Sequence, residues 1–219
     1  MEYYEILQTD ISVQHLCKRD KRLKRVIEAV GDLKCTNHTD PYAFVIEEIT
    51  GQMLSNKVSR VLCDRLEDIC EGHITIDRIE NLSTERIRSV GLSKAKAEYI
   101  KSFTKAVSDK RISFQELENL SDKEVEKRLT SIRGIGSWTA KMYLIFVMHR
   151  EDILPLEDGA FLQGYKWLYN TDDVNKDSIS IKCRKWKPYS SIAARYLYRA
   201  VDMGFTRHPF RQNSFLQEE

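Results

Sequence analysis

Proline and glycine are scarce in this sequence of 219 residues, which holds only four and nine of them. Sandwiches and barrels turn often and place these residues at their turns, so the scarcity argues for helices. No run approaches the roughly 18 apolar residues that span a bilayer. The opening Met1-Glu2-Tyr3-Tyr4-Glu5 lacks both the basic and the apolar region of a secretory leader. An intracellular protein without a membrane partner is expected. The five cysteines (Cys17, Cys35, Cys63, Cys70 and Cys183) are odd in number and form no C-x-x-C pair. That argues against a disulfide framework and gives no support to zinc or an iron–sulfur cluster, so no cofactor is expected. A strong charge of one sign is missing as well: 35 basic residues face 33 acidic ones, a net +2. This excludes a histone-like basic tail, but not nucleic-acid binding through local patches.

What is present is a globular composition, 42% hydrophobic and 31% charged, long enough for one or two domains. Leu23, Val26, Ile27 and Val30 recur at helical spacing after Asp20, and residues 1–39 read as a helical arm. Asp40-Pro41 starts the next helix, which Gly51 interrupts. Further starts stand at Ser55, Thr75, Ser83, Ser93 and Ser113, and Ser121-Asp-Lys-Glu124 has the form of a capping box. Long apolar stretches over 137–149 and 190–202 read as two more helices, and the polar tail after Phe205 is expected to fray. No stretch alternates long enough to require a strand. The fold class is all-α.

The most informative segment is Leu129-Thr-Ser-Ile-Arg-Gly-Ile-Gly-Ser-Trp-Thr-Ala-Lys141. One helix ends near Ser131, Gly134 and Gly136 flank Ile135, and a second helix follows at once. Ile135 can plug the core while the backbone N–H groups opening the second helix donate to a phosphate oxygen, with Arg133, Ser137 and Lys141 nearby. Taken alone, the segment also fits an ordinary Gly-x-Gly connection between helices.

Four blocks in order widen the pattern: Asp40-Pro-Tyr-Ala-Phe44 with Gly51-Gln-Met-Leu-Ser55; Gly91-Leu-Ser-Lys-Ala-Lys-Ala-Glu-Tyr-Ile100; the hairpin through Phe146; and Leu154-Pro-Leu-Glu-Asp158 with Trp186-Lys-Pro-Tyr-Ser-Ser191. Together they cover roughly residues 40–205 and resemble the helix-hairpin-helix (HhH-GPD) DNA glycosylase superfamily, in its 3-methyladenine DNA glycosylase II branch. Where relatives often carry proline before the first hairpin glycine, this chain has Arg133.

The resemblance implies two helical subdomains: residues 1–49 with 150–219, and residues 50–149 ending in the hairpin, with a catalytic cleft between them. It makes Asp158 the catalytic carboxylate, able to stabilise an oxocarbenium-like sugar and to orient or deprotonate water. The residues themselves also read Asp158 as the N-cap of a helix, and Glu157 is a neighbouring alternative. Strand-cutting relatives have a Schiff-base lysine two residues after the second hairpin glycine. Trp138 stands there and cannot form the imine, so a monofunctional enzyme without AP-lyase activity is implied.

Met53 matches the intercalating wedge, with Gln52 positioning its loop; a core methionine is the alternative. Trp138, Tyr198, Met142 and Tyr189 match the base pocket, where electron-rich rings stack on a cationic base. Tyr198 replaces a tryptophan and Met142 a tyrosine of some relatives, and Trp138 and Tyr189 also fit as core aromatics. Arg133, Gly134, Gly136, Ser137 and Lys141 would hold the DNA backbone. Carbonyls of Thr130, Ile132 and Ile135 match a monovalent-cation site, with no tight metal implied. Lys94, Lys96, Lys101, Lys182, Arg184, Lys185 and Lys187 are further candidate phosphate contacts.

The implied activity is hydrolysis of the N-glycosidic bond of alkylated bases in duplex DNA by a base-flipping repair enzyme, a monomer without cofactor. Deaminated bases such as hypoxanthine or uracil remain an alternative substrate class. A non-catalytic DNA-binding protein built on the same hairpin is the other alternative.

Overall fold

The computed structural model describes residues 2–210. Among these, thirteen α-helices are joined by a two-stranded antiparallel sheet and two 3₁₀ turns. Among the described residues no helix is long and apolar enough to cross a membrane. The chain divides into two compact units: one joins the residues up to Asn37 with those from His149 onward, and the other is His38–Met148.

The first unit begins with strand β1 (Glu2–Ile6), helices α1 (Ile11–Arg19) and α2 (Lys21–Val30), and strand β2 (Leu33–Asn37). The helical arm expected over 1–39 is therefore bracketed by strands, pairing Glu2 with Asn37 through Ile6 with Leu33. They escape a search for alternation because only Ile6 and Leu33, at one end of the ladder, are buried. Helices α11 (Gly159–Tyr169), α12 (Lys176–Cys183) and α13 (Ser190–Asp202) complete the unit. Leu16, Leu23, Ile27, Phe161, Trp186 and Tyr196 are fully buried in its core. A Cβ at Gly164 of α11 would lie 2.9 Å from that of Leu197, so glycine lets α11 and α13 pack closely. Helix α12 gives little sequence signal because its buried residues are only Ile179 and Cys183.

The second unit holds α3 (Pro41–Gly51), α4 (Asn56–Ile69), α5 (Ile76–Asn81), α6 (Thr84–Arg88), α7 (Lys94–Ser108), α8 (Phe114–Glu118), α9 (Asp122–Thr130) and α10 (Ser137–Phe146). Serine or threonine caps accept the expected N–H bonds at Ser55, Thr75, Ser83, Ser93 and Ser113. At Ser121 the Glu124 carboxylate accepts the backbone N–H at 3.0 Å. The boundary near residue 49 moves to residue 37, because α3 belongs to this core. Tyr42 of α3 stacks on Phe103 of α7 at 5.7 Å and meets Thr104 by a 2.8 Å hydroxyl hydrogen bond.

Helix α10 stops at Phe146 rather than His149. Met148 N–H closes back on the Tyr143 carbonyl at 3.1 Å, and His149 turns left-handed at φ 52°. Beyond Phe205 the expected fraying is replaced, as far as residue 210, by a 3₁₀ turn (Phe205–Arg207). Gln163 Nε2 holds Thr206 Oγ1 at 2.8 Å and Trp167 Nε1 holds the His208 carbonyl at 2.8 Å. The rest of the tail lies outside the described residues.

Candidate active site

In the second unit the hairpin is built by α9, α10 and the turn between them. Ile132 and Ile135 are buried and anchor the turn, with Ile135 N–H donating to the Ile132 carbonyl at 3.0 Å. Gly134 has φ +96°, and a Cβ there would come within 2.2 Å of Tyr99 Cγ; both facts require glycine. Gly136 is different. It is extended (φ −98°, ψ 177°), it caps α10 without a side-chain bond, and a Cβ there would meet nothing within 4 Å. The first turn of α10 thus begins beside open space, with the partial positive charge of a helix start.

Two hairpin side chains expected to meet phosphate are held by carboxylates. Arg133 reaches Glu98 Oε2 at 3.2 Å and lies 5.8 Å from the Tyr99 ring centre, while Ser137 Oγ donates to Glu126 Oε1 at 2.5 Å. Lys141 and Trp138 are half-buried on α10, and Met142 is buried, so of the pocket candidates on this helix Trp138 retains accessible surface and Met142 almost none.

The loop after α3 is tied to this hairpin. Gln52 Nε2 donates to the Gly134 carbonyl at 2.9 Å and to Thr139 Oγ1 at 3.2 Å. Met53 is wholly exposed, which removes the core-methionine alternative, and its backbone is left-handed at φ 59°. That conformation costs a residue with a Cβ about 1 kcal/mol or more.

In the first unit Asp158 caps α11. It is buried at 9% exposure, and Oδ1 accepts the Phe161 N–H at 2.7 Å. The neighbouring Glu157 is drawn away into a 2.6 Å ion pair with Lys176. Tyr198 is half-buried on α13, and Tyr189 sets its ring edge-on to His15 at 5.4 Å.

Several lysines read as phosphate contacts serve the fold instead. Lys96 Nζ donates to the carbonyls of Thr50 at 2.8 Å and Gln52 at 2.7 Å. Lys101 Nζ closes the end of α5 on the carbonyls of Ile79, Glu80 and Leu82. Lys185 pairs with buried Asp20 at 3.1 Å, whereas Lys187 is exposed in a 3.0 Å surface pair with Asp152 and stays accessible to phosphate, like Arg133. Lys94 remains exposed in a loose 3.9 Å pair with Glu98. The sequence did carry a signal for Lys96: it shares a helical stripe with buried Ile100 and Phe103, where a solvated lysine does not belong.

Comparison with known proteins fits this arrangement. Residues 46–188 match the model of the HhH-GPD superfamily base excision DNA repair protein. DNA-3-methyladenine glycosylase 1 of Schizosaccharomyces pombe is 29% identical over 204 residues, covering 90% of each chain. A crystal structure of DNA-3-methyladenine glycosidase from Bacillus halodurans superposes with TM-score 0.81 at 30% identity, covering 100% of both chains. The S. pombe 3-methyladenine DNA glycosylase in complex with abasic DNA superposes with TM-score 0.81 at 29% identity, covering 88% of this chain and 97% of that one. The chain belongs to the HhH-GPD superfamily of base excision DNA repair proteins.

Proposed function

We propose that the protein is a monofunctional DNA glycosylase that hydrolyses the N-glycosidic bond of alkylated bases, of the 3-methyladenine and 7-methylguanine type, in duplex DNA. The observation that carries the reading is Asp158. It is a buried carboxylate fixed at a helix start, at the place the sequence resemblance gives the catalytic aspartate, in a chain whose full-length relatives bear 3-methyladenine glycosylase names.

The chemistry follows from the charge of the substrate. A purine methylated at N3 or N7 is cationic and leaves as a neutral base, so the leaving group needs no strong general acid. The sugar left behind has oxocarbenium character, and a fixed carboxylate lowers the energy of that cation. Water then adds at C1′, with Asp158 orienting it or taking its proton, and the product is an intact abasic site. Trp138 occupies the position of the lyase lysine, and Lys141 is a further turn along α10, so no imine to the sugar forms.

The remaining assignments rest on the same family match. Met53 projects from its turn as the wedge that fills the gap left by the flipped base, steadied by Gln52. Trp138, Tyr198 and Tyr189 offer rings to a cationic base, and Met142 is the fourth residue assigned to the pocket. The N–H groups around Gly134, Gly136 and Ser137, with Lys141 and Arg133, hold the phosphate backbone without reading sequence. Arg133 and Ser137 exchange Glu98 and Glu126 for phosphate to do so. The carbonyls of Thr130, Ile132 and Ile135 provide hard oxygen ligands suited to a monovalent cation.

A panel of duplexes carrying 3-methyladenine, 7-methylguanine, hypoxanthine or uracil tests the substrate class. Release of the methylated bases supports the reading, and release of hypoxanthine or uracil alone replaces it. No release from any duplex, with DNA binding retained, would leave only a DNA-binding role. Borohydride trapping tests the mechanism separately, because a covalent enzyme–DNA adduct would contradict monofunctional hydrolysis.

A further inference from the structure

The turn that presents Met53 has a defined type. Leu54 N–H donates to the Gly51 carbonyl at 3.0 Å, Gln52 sits at φ −47°, ψ 129°, and Met53 at φ 59°. These are the angles of a type II turn, whose third position ordinarily calls for glycine. A non-glycine sequence defaults to type I, which differs by a flip of the peptide linking the two central residues. That flip turns the Gln52 carbonyl to the opposite face and returns Met53 to negative φ. The direction of one carbonyl therefore decides how Met53 is presented.

Lys96 holds that carbonyl. Its Nζ lies 2.7 Å from Gln52 O and 2.8 Å from Thr50 O, bridging the last turn of α3 to the middle peptide of the turn. Thr50 is among the final residues of a helix, whose carbonyls lack intrahelical partners, so its oxygen is available to the ammonium. The stem of Lys96 lies on the stripe of Ile100 and Phe103, which fixes the reach of the side chain. Burial depresses its pKa, a cost to the ammonium that the nearby Cys63 partly offsets and that two charge-assisted hydrogen bonds oppose. Gln52 fastens the same segment from its other side, through its own amide to Gly134 and Thr139.

We propose that Lys96 is a positioning residue that selects the type II form of the Gly51–Leu54 turn and so aims Met53 into DNA. The effect on catalysis rests on Met53 acting as the wedge; the hold on the turn does not.

The test compares Lys96→Met, which keeps the aliphatic stem, and Lys96→Arg, which restores a donor, with Met53→Ala. In Lys96→Met the NMR shifts of the Gln52 carbonyl carbon and the Met53 amide should move toward type I values, and in Lys96→Arg they should return. Unchanged shifts in folded Lys96→Met would overturn the proposal. In single-turnover base release, Lys96→Met should lose about tenfold on a paired lesion if the left-handed cost falls on catalysis. It should lose less than about threefold on an unpaired lesion, and nothing more when added to Met53→Ala. Equal losses on both substrates, or losses that add in full, count against positioning through Met53. If Met53→Ala itself fails to separate the two substrates, the wedge reading falls while the NMR shifts still decide the role of Lys96.

Discussion

Asp20 and Asp158 are the same residue in the same local role, each a buried N-cap in the first unit, and they are built differently. Asp20 Oδ1 accepts the N–H groups of Arg22 and Leu23 at 3.0 and 3.3 Å. Its Oδ2 accepts from the Tyr169 hydroxyl, from Trp186 Nε1 at 2.9 Å, and from Lys185 Nζ at 3.1 Å. Those donors come from elements distant in sequence, so Asp20 ties α2 to the end of α11 and to the segment after α12. Asp158 caps α11 locally through Phe161 N–H. Burial and capping therefore do not by themselves single out a catalytic carboxylate. The hairpin repeats the lesson in glycine: Gly134 is demanded by its backbone angle and by Tyr99, whereas the fold makes no such demand at Gly136.

The sharpest way to break the aspartate comparison is to make one substitution at both places. Asparagine caps a helix as well as aspartate, so Asp158→Asn should keep thermal stability within about 0.5 kcal/mol. If Asp158 acts as proposed, the substitution also removes the negative charge that stabilises the sugar cation, and base release should fall by about 10²- to 10⁴-fold. Single-turnover release with a parallel melt measures both. Retained activity would take the catalytic role from Asp158.

Asp20→Asn should give the reverse. An amide turns a donor toward Tyr169, Trp186 or Lys185 and leaves Lys185 without its counter-charge, costing about 2–3 kcal/mol of stability. The rate per folded molecule should stay near wild type, as urea melts and active-site titration would show. A large rate loss in fully folded Asp20→Asn would mean that the two carboxylates are not divided as proposed.

Gly134→Ala follows in size. The substituted residue keeps φ +96° only under strain, and its Cβ overlaps Tyr99, so about 2 kcal/mol is expected from the melt. A neutral result would show that α7 and the hairpin turn yield more easily than their packing implies.

Acid sharpens the Asp20 side of the comparison. Burial works against its ionisation, yet the bonds from Tyr169, Trp186 and Lys185 together outweigh it and hold the carboxyl below its ordinary value. A depressed pKa stabilises the fold at pH above the unfolded value of about 3.9 and loses that contribution as pH falls through the folded value. Wild type and Asp20→Asn should therefore converge in melting temperature below about pH 4, having been separated at pH 6. A constant difference across that range would assign the loss to packing rather than charge.

The sequence was most legible where local rules suffice. Serine caps, the Asp40-Pro41 start and the hairpin glycines are short-range signals, and the helices they predict are present. The strands were not legible, because their ladder buries only the Ile6–Leu33 end. Of the candidate site, the order of motifs pointed to Asp158, Gln52 and Met53, and the structure supplies the left-handed turn and the tie from Gln52 to Gly134. Lys96, Lys101 and Lys185 were misread because a cation in sequence does not say what it faces. Lys101 turns to carbonyls 19 to 22 residues away, beyond any local pattern, whereas the stripe that Lys96 shares with Ile100 and Phe103 hinted at burial without naming its partners 44 and 46 residues away.

Gly136→Ala is the smallest expected change in stability and bears most directly on what the hairpin is for. The position is extended, an added Cβ meets no atom within 4 Å, and alanine restricts the unfolded chain. That gain is offset by the weaker capping of alanine, leaving stability within about 0.5 kcal/mol of wild type. A fold indifferent to the methyl isolates its effect on anything that must approach the first N–H groups of α10. Binding to an undamaged duplex should weaken severalfold, since a phosphate oxygen bonding those groups would need to come within about 3 Å of them. The loss should be uniform across sequences, as contacts to the backbone require. Unaltered duplex affinity in Gly136→Ala would place the phosphate elsewhere and leave capping as the only reason on hand for glycine at 136.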